Sequence, residues 1–229
     1  MNFDKIKNFL LDLFFPKFCF GCQKEGEYLC PDCKAILDIS QNHQKFKMEN
    51  LSDLYFITDY KNFLIKKMIK FLKYQPLVKE LAKDLAFLII DHFQLIEKKP
   101  EFLKKKEGWV LVPVPLEKKK MKWRGYNQAE EIAKNLSLIL KIPLVSDCLI
   151  KIKKTKPQIE LDFKERKENV RGAFLVKNGN LIKNKKVLLV DDVFTTGSTM
   201  LECAKVLKEA GAKEIVGIVI ARATIDQDK

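Results

Sequence analysis

The sequence predicts an α/β domain built on a mainly parallel sheet flanked by helices. Three observations carry that expectation. Val187 to Val190 and Ile215 to Ala221 are short apolar, largely β-branched or leucine runs of the kind that strands buried on both faces require. Between them Thr199 to Ala210 has helical spacing with Gly211 as its stop, so this part of the chain reads as one βαβ unit. Upstream, strand-like and helix-like segments alternate rather than segregate, which favours crossover connections and a ligand site at the carboxyl ends of the strands.

The chain begins with an amphipathic segment. Phe3, Ile6, Leu10, Leu13 and Phe14 share one helical face, while Asp4, Lys5, Lys7 and Asp12 interrupt the run and no small-residue cleavage site comes after it. This segment reads as a docking helix rather than an export signal, with a membrane-surface anchor as the alternative. Residues 16 to 34 combine Cys19, Cys22, Cys30 and Cys33 with Pro16, Gly21, Gly26 and Pro31, the composition of a small loop-built module with little core. The polar stretch Ser40 to Asn50 reads as a linker, dividing the chain into residues 1–50 and 51–229. Leu54 to Ile57 is strand-like. Phe63, Ile65, Met68, Ile69 and Leu72 then recur at helical spacing until Pro76, and a second helix runs from Leu77 to about Ile96. The lysine-rich run to Lys106 reads as loop, Trp109 to Val114 as a buried strand ended by Pro113 and Pro115, and residues 117–126 as a polar, basic loop. Asn127 to Leu140 is helical through Ile132, Leu136 and Ile139, Leu149 to Ile152 is a short strand, and Leu161 to Val170 a short helix.

A chain of 229 residues with 47% hydrophobic content can bury a sizeable core. Its longest uninterrupted apolar run, Leu85 to Ile90, falls far short of the about 20 residues a membrane span needs, so membrane insertion is not expected. Net charge is +13, which has two readings: attraction to single-stranded DNA or another polyanion, or a compositional surplus of solvated lysine. Of 43 basic residues only Arg124, Arg166, Arg171 and Arg222 are arginine, and three of these fall in expected loops, where a planar bidentate fork has a use that lysine cannot serve.

The most specific segment is Val187-Leu-Leu-Val-Asp-Asp-Val-Phe-Thr-Thr-Gly-Ser-Thr199. A buried strand delivers Asp191 and Asp192 to the sheet's carboxyl edge, and a hydroxyl-rich loop then opens a helix. Thr195, Thr196, Ser198 and Thr199, with the N–H groups of the helix start, suit a phosphate monoester, and Gly197 permits close backbone approach. Adjacent carboxylates beside such a cradle suit a sugar diol and a water-bridged Mg²⁺. Ribose 5-phosphate fits the arrangement. The two acids are expected at a solvent-facing edge, where their mutual repulsion costs stability.

This stretch resembles the phosphoribosyl pyrophosphate (PRPP) motif of the type I phosphoribosyltransferases. The resemblance makes Asp191 and Asp192 the diol pair, catalytic by position, and extends the PRPP-binding set through Val193 to Thr195–Thr199. Val112-Pro-Val-Pro-Leu116, Trp123-Arg-Gly-Tyr-Asn-Gln-Ala-Glu130, Thr155-Lys-Pro-Gln158, and Arg166 with Asn169 and Arg171-Gly-Ala-Phe174 are similar to the competence protein ComF family over nearly the whole chain, cysteine module included. On that pattern the loop at Val114 approaches the pyrophosphate and the Arg124 segment is a mobile cover for PRPP. Family membership also implies DNA uptake in natural transformation.

Cys19-x-x-Cys22 and Cys30-x-x-Cys33, seven residues apart, match a tetrahedral structural Zn²⁺ site. Disulfides compete, but a nucleotide-type ligand and no export signal point to a reducing, cytoplasmic compartment. Cys148 and Cys203 lie among apolar neighbours, and His43 and His92 lie outside every motif. No residue identifies an acceptor for phosphoribosyl transfer. Two functions therefore stand: transfer from PRPP to an unidentified acceptor, or a non-catalytic, PRPP-regulated accessory that binds single-stranded DNA and a DNA-translocating helicase.

Overall fold

The computed structural model describes residues 16–75, 78–155 and 163–223. The expected N-terminal helix, the Pro76 stop and residues 156–158 of the Thr155 segment lie outside them. In chain order the elements are α1 (Pro31–Ala35), β1 (Asp53–Asp59), α2 (Phe63–Tyr74), α3 (Leu81–Leu95), α4 (Glu101–Lys104), β2 (Trp109–Pro113), α5 (Lys118–Arg124) and α6 (Gln128–Leu140). They continue with β3 (Leu149–Lys151), α7 (Phe163–Val170), β4 (Phe174–Val176), β5 (Lys186–Val190), β6 (Val193–Phe194), α8 (Ser198–Glu209) and β7 (Glu214–Arg222).

The main sheet runs β1-β7-β5-β2 with every pairing parallel, as expected, and β6 extends along β7 beyond the end of β5. Alternation sends strand residues to two covered faces. Leu188, Val190, Ile57, Ile218 and Ile220 pack with Ile65, Met68, Ile69 and Leu72 of α2, and with side chains of α3 and α6. Val187, Leu189, Leu54, Val112 and Val219 pack with Met200, Cys203, Ala204 and Leu207 of α8. Burying side chains of this size contributes about 1.5–3 kcal/mol each, which is why both faces are apolar and the strands read as nearly continuous hydrophobic runs. No helix among the described residues is long and apolar enough to cross a membrane.

Several sequence expectations change. Residues 117–126 are not a loop: α5 occupies most of them and ends at Gly125, whose φ of +83° caps the helix by a left-handed turn. A run of polar and basic positions had hidden that helix. The lysine-rich run before β2 contains α4, formed because Phe102 is buried against the rings of Phe93 and Trp109. Strands β4 and β6, three and two residues long, were too short for periodicity to reveal. β4 pairs antiparallel with β3 as a separate ribbon.

The stretch after the cysteine module is docked along the body. The Ser40 N–H donates to the Ile57 carbonyl at 2.7 Å, and Nδ1 of His92 lies 2.7 Å from the Ser40 carbonyl. The His43 ring stacks on Tyr55 with centroids 4.0 Å apart and places Nε2 2.9 Å from Asp53 Oδ2. Both histidines thus fasten this segment. The module itself shares the core of α2 and α3 through Phe20, Leu29 and Leu37.

Candidate functional site

The parallel sheet ends on one edge where β5 delivers Asp191 and Asp192. The Asp191 N–H donates to the Ile218 carbonyl at 3.0 Å, and the Ile220 N–H donates to the Asp192 carbonyl at 3.0 Å, so β7 holds the diacid backbone from one side. From the other side the Val114 N–H donates to the Val190 carbonyl at 2.9 Å. The Val114 carbonyl accepts from Asn127 Nδ2 at 2.9 Å, and Asn127 Oδ1 in turn caps α6 by accepting from Ala129 N–H at 3.1 Å. Val114, Asp191, Asp192 and Val193 therefore share one edge.

The loop after the diacid is compact. Gly197 has φ of +77° and precedes α8; a Cβ there would lie 2.3 Å from the Phe194 ring, so both conformation and space demand glycine. Thr196 and Ser198 are buried with hydroxyl oxygens 2.9 Å apart, while Thr195 and Thr199 are half-buried. The Ser198 N–H reaches Thr196 Oγ1 at 3.4 Å, closing the turn from which the helix starts.

The two acids are not alike. Asp191 is half-buried; desolvation and the neighbouring Asp192 charge push its carboxyl up to about 7, although its Oδ1 accepts from the Asp192 N–H at 2.8 Å. Asp192 is 4% exposed rather than solvent-facing, and its Oδ1 lies 2.9 Å from Lys73 Nζ at the end of α2. Its Oδ2 is buried with no hydrogen-bond partner among the described residues. Desolvation pulls Lys73 down, but attraction to Asp192 outweighs it and holds the ammonium above its ordinary value. The expected mutual repulsion is therefore partly neutralised by a residue far away in sequence.

Arg124 sits at the last turn of α5, buried, with its guanidinium 5.9 Å from the centre of the Tyr74 ring and hydrogen-bonded to Gln128 Oε1. Desolvation lowers its pKa from the ordinary value and the Asp192 charge opposes that shift. Helix α5 replaces the expected loop because Tyr126 and Asn127 anchor the chain just beyond its end: the Tyr126 hydroxyl donates to the Leu72 carbonyl of α2. Arg166 lies on α7, within the helix expected there, and Arg171 in the turn behind it, 3.7 Å from Glu168.

The four cysteines converge in the loop-built module, whose Phe20 packs on Phe71 of α2. Their sulfurs all lie within 4.8 Å of one another, and among the described residues they are the one group of metal-capable side chains so placed. A tetrahedral ion with metal–sulfur bonds of about 2.3 Å needs sulfurs about 3.8 Å apart, which fits. Cys22 Sγ and Cys30 Sγ are 3.6 Å apart, and the Cys30 and Cys33 N–H groups each approach a sulfur at 3.4 Å. Burial opposes ionisation of Cys19, yet the donors around it bring that thiol to about 6, whereas its neighbour Cys30 and burial push Cys33 up to about 12. Four thiols packed this closely cannot all ionise without a cation. Gly21 makes the packing possible: a Cβ there would lie 2.5 Å from Cys33 Sγ.

Lys73 was not singled out by the sequence motifs, whereas Gly21 and Tyr126 stood inside them without an assigned role. For Lys73 a signal existed, since it falls four residues after Ile69 and eight after Ile65, on the buried face of α2, whereas Lys66, Lys67 and Lys70 are exposed.

Known proteins bear on this geometry. The model of the phosphoribosyl transferase domain family matches residues 124–228, beginning at Arg124 and spanning the diacid and its loop. Competence protein ComFC of Streptococcus pneumoniae is 32% identical over 124 residues, 53% of this chain and 52% of that one. DNA utilization protein YhgH of Escherichia coli K12 is 32% identical over 105 residues, 46% of this chain and 45% of that one. Competence protein F of Haemophilus influenzae is 33% identical over 213 residues, 90% of each chain. With a phosphoribosyltransferase domain, a four-cysteine cluster and that likeness over 90% of each chain, the chain belongs to the competence protein F family.

Proposed function

We propose that the protein binds Mg-PRPP at the carboxyl edge of β5 and serves DNA uptake, as the names of its relatives suggest for them. The observation that carries this reading is the juxtaposition of a diacid at a strand end with a glycine-hinged, hydroxyl-rich loop opening α8. Asp191 and the unpartnered Oδ2 of Asp192 would accept the ribose hydroxyls, residues 195–199 would cradle the 5-phosphate, and Val114 would border the pyrophosphate. Mg²⁺ would neutralise the pyrophosphate as it leaves. Transfer to a nitrogen nucleophile would rest on positioning and on exclusion of water, with Arg124 supplying positive charge beside the acids. The test is titration calorimetry with Mg-PRPP: changing both acids to Asn should weaken binding by about a hundredfold or more, and wild-type affinity in that variant would remove the assignment.

A second reading has its own support. Trp123 and Tyr74 are exposed with rings 6.3 Å apart, beside Lys118, Lys119, Lys120 and Lys122 of α5. Stacking faces among lysines suit single-stranded DNA and a helicase-associated, non-catalytic role. Pyrophosphate release that requires an added base or amine favours the transferase; PRPP binding without release, together with salt-sensitive DNA binding, favours the accessory. Zn²⁺ is the ion proposed for Cys19, Cys22, Cys30 and Cys33, and four unpaired thiols suit a reducing cytoplasm.

A further inference from the structure

Helix α2 ends against the diacid. Asn62 caps its start by accepting from the Ile65 N–H at 3.1 Å, and the Tyr126 hydroxyl holds the Leu72 carbonyl at its end. Lys73, the next residue, is thereby fixed in place, its aliphatic stem on the buried face and its Nζ 2.9 Å from Asp192 Oδ1. Removing Asp192 from water costs free energy that only a well-placed counter-charge offsets. Arg124 interacts with Asp192 through its charge, while its Nη1 donates to Gln128 Oε1 and its Nε has no partner among the described residues, so Lys73 is the cation that engages this carboxylate directly. One oxygen is thus clamped while the second is buried with no hydrogen-bond partner among the described residues.

We propose that Lys73 is a positioning residue of the PRPP site, clamping Asp192 by one oxygen so that the other is presented to a ribose hydroxyl. The inference rests on the reading of Asp191 and Asp192 as the diol pair. Lys73 touches no substrate in this scheme; it acts through Asp192. A buried carboxylate that loses its clamp rotates toward other donors, and its acceptor geometry is lost before the ligand arrives.

The test uses Mg-PRPP titration calorimetry on the full-length protein with its metal centre intact, applied to wild type, K73M, K73R, D192N and the K73M/D192N pair. Thermal melts on the same samples show which variants fold. K73M should weaken binding about tenfold or more, K73R should restore most of that loss, and K73M should add nothing in the D192N background. Wild-type affinity in K73M overturns the proposal, as does an equal loss in the wild-type and D192N backgrounds, or K73R behaving as K73M. If instead D192N binds as wild type does, or wild type binds no PRPP, the reading of the site falls and the proposal falls with it.

Discussion

Phe20 of the cysteine module meets Phe71 of α2 edge to face, with ring centroids 4.9 Å apart at 73°. Phe71 lies two residues before Lys73 on the same helix, and Lys67 one turn earlier donates to the Phe20 carbonyl at 3.4 Å. Helix α2 therefore touches the cysteine module with one part and the diacid with its end. Metal removal by a chelator should lower both the melting temperature and the affinity for Mg-PRPP. Elemental analysis and calorimetry on the same sample check this: loss of the metal with unchanged PRPP affinity would show that the two sites are independent.

Gly21 gives a sharper probe of the cluster. Gly21→Ala places a Cβ 2.5 Å from Cys33 Sγ, closer than any relaxed contact, without altering a ligand or a charge. Metal content after purification should fall well below that of the wild type. Full occupancy in this variant would mean that the sulfurs can spread without losing the ion.

Gly197 is demanding for two reasons. An L-residue at φ of +77° costs about 1–2 kcal/mol, and the added Cβ would drive into the buried Phe194 ring. Gly197→Ala should therefore lower the melting temperature as well as weaken Mg-PRPP binding, and Gly197→Val should do more of both. A loop variant with impaired binding and an unchanged melt would restrict the fault to the phosphate cradle.

Asp191 predicts a pH dependence in the ligand-free protein. Burial and Asp192 raise its folded carboxyl to about 7 from the ordinary 3.8. Below that lower value both states carry the proton; between the two values the unfolded chain releases it and the folded chain retains it, so the folded state loses stability as pH rises through this interval. Asp191→Asn removes the loss. Its melting temperature relative to wild type should grow between about pH 4 and pH 7 and level off above. Asp192→Asn should be destabilising instead, since it leaves Lys73 without its counter-ion. Melts of both variants across that range read out the difference, and an Asp191→Asn gain that is flat with pH would contradict the assignment.

The diacid strand was legible because its signal is local: a buried run, two acids, a glycine and a helix within thirteen positions. The cysteine spacing was legible for the same reason. Lys73 was obscured by Lys66, Lys67 and Lys70 on its own helix, and only its phase relative to Ile69 sets it apart. Helix α5 was obscured by a lysine run whose packing partner, Tyr74 against Trp123 and Arg124, lies on a different helix. Side-chain pairs across elements leave no mark at fixed spacing, so the shell around Asp192 required the fold, whereas Asp192 itself did not.

Strand β7 lies between β1 and β5 although it is the last of the described strands. Translation therefore delivers β1 long before its sheet partner, since the stretch from Asp59 to Glu214 takes on the order of 10 to 30 s to make at about 5–20 residues per second. Throughout that interval Leu54 and Ile57 belong to a strand with no neighbour to pair with, an edge that chaperones or other nascent chains can reach. All four cysteines are made early, but the sheet under α2 becomes continuous only when β7 slots in between β1 and β5. Completion of the sheet thus waits for β7, and a ribosome stalled before residue 214 would carry the four cysteines without the strand that holds the diacid backbone.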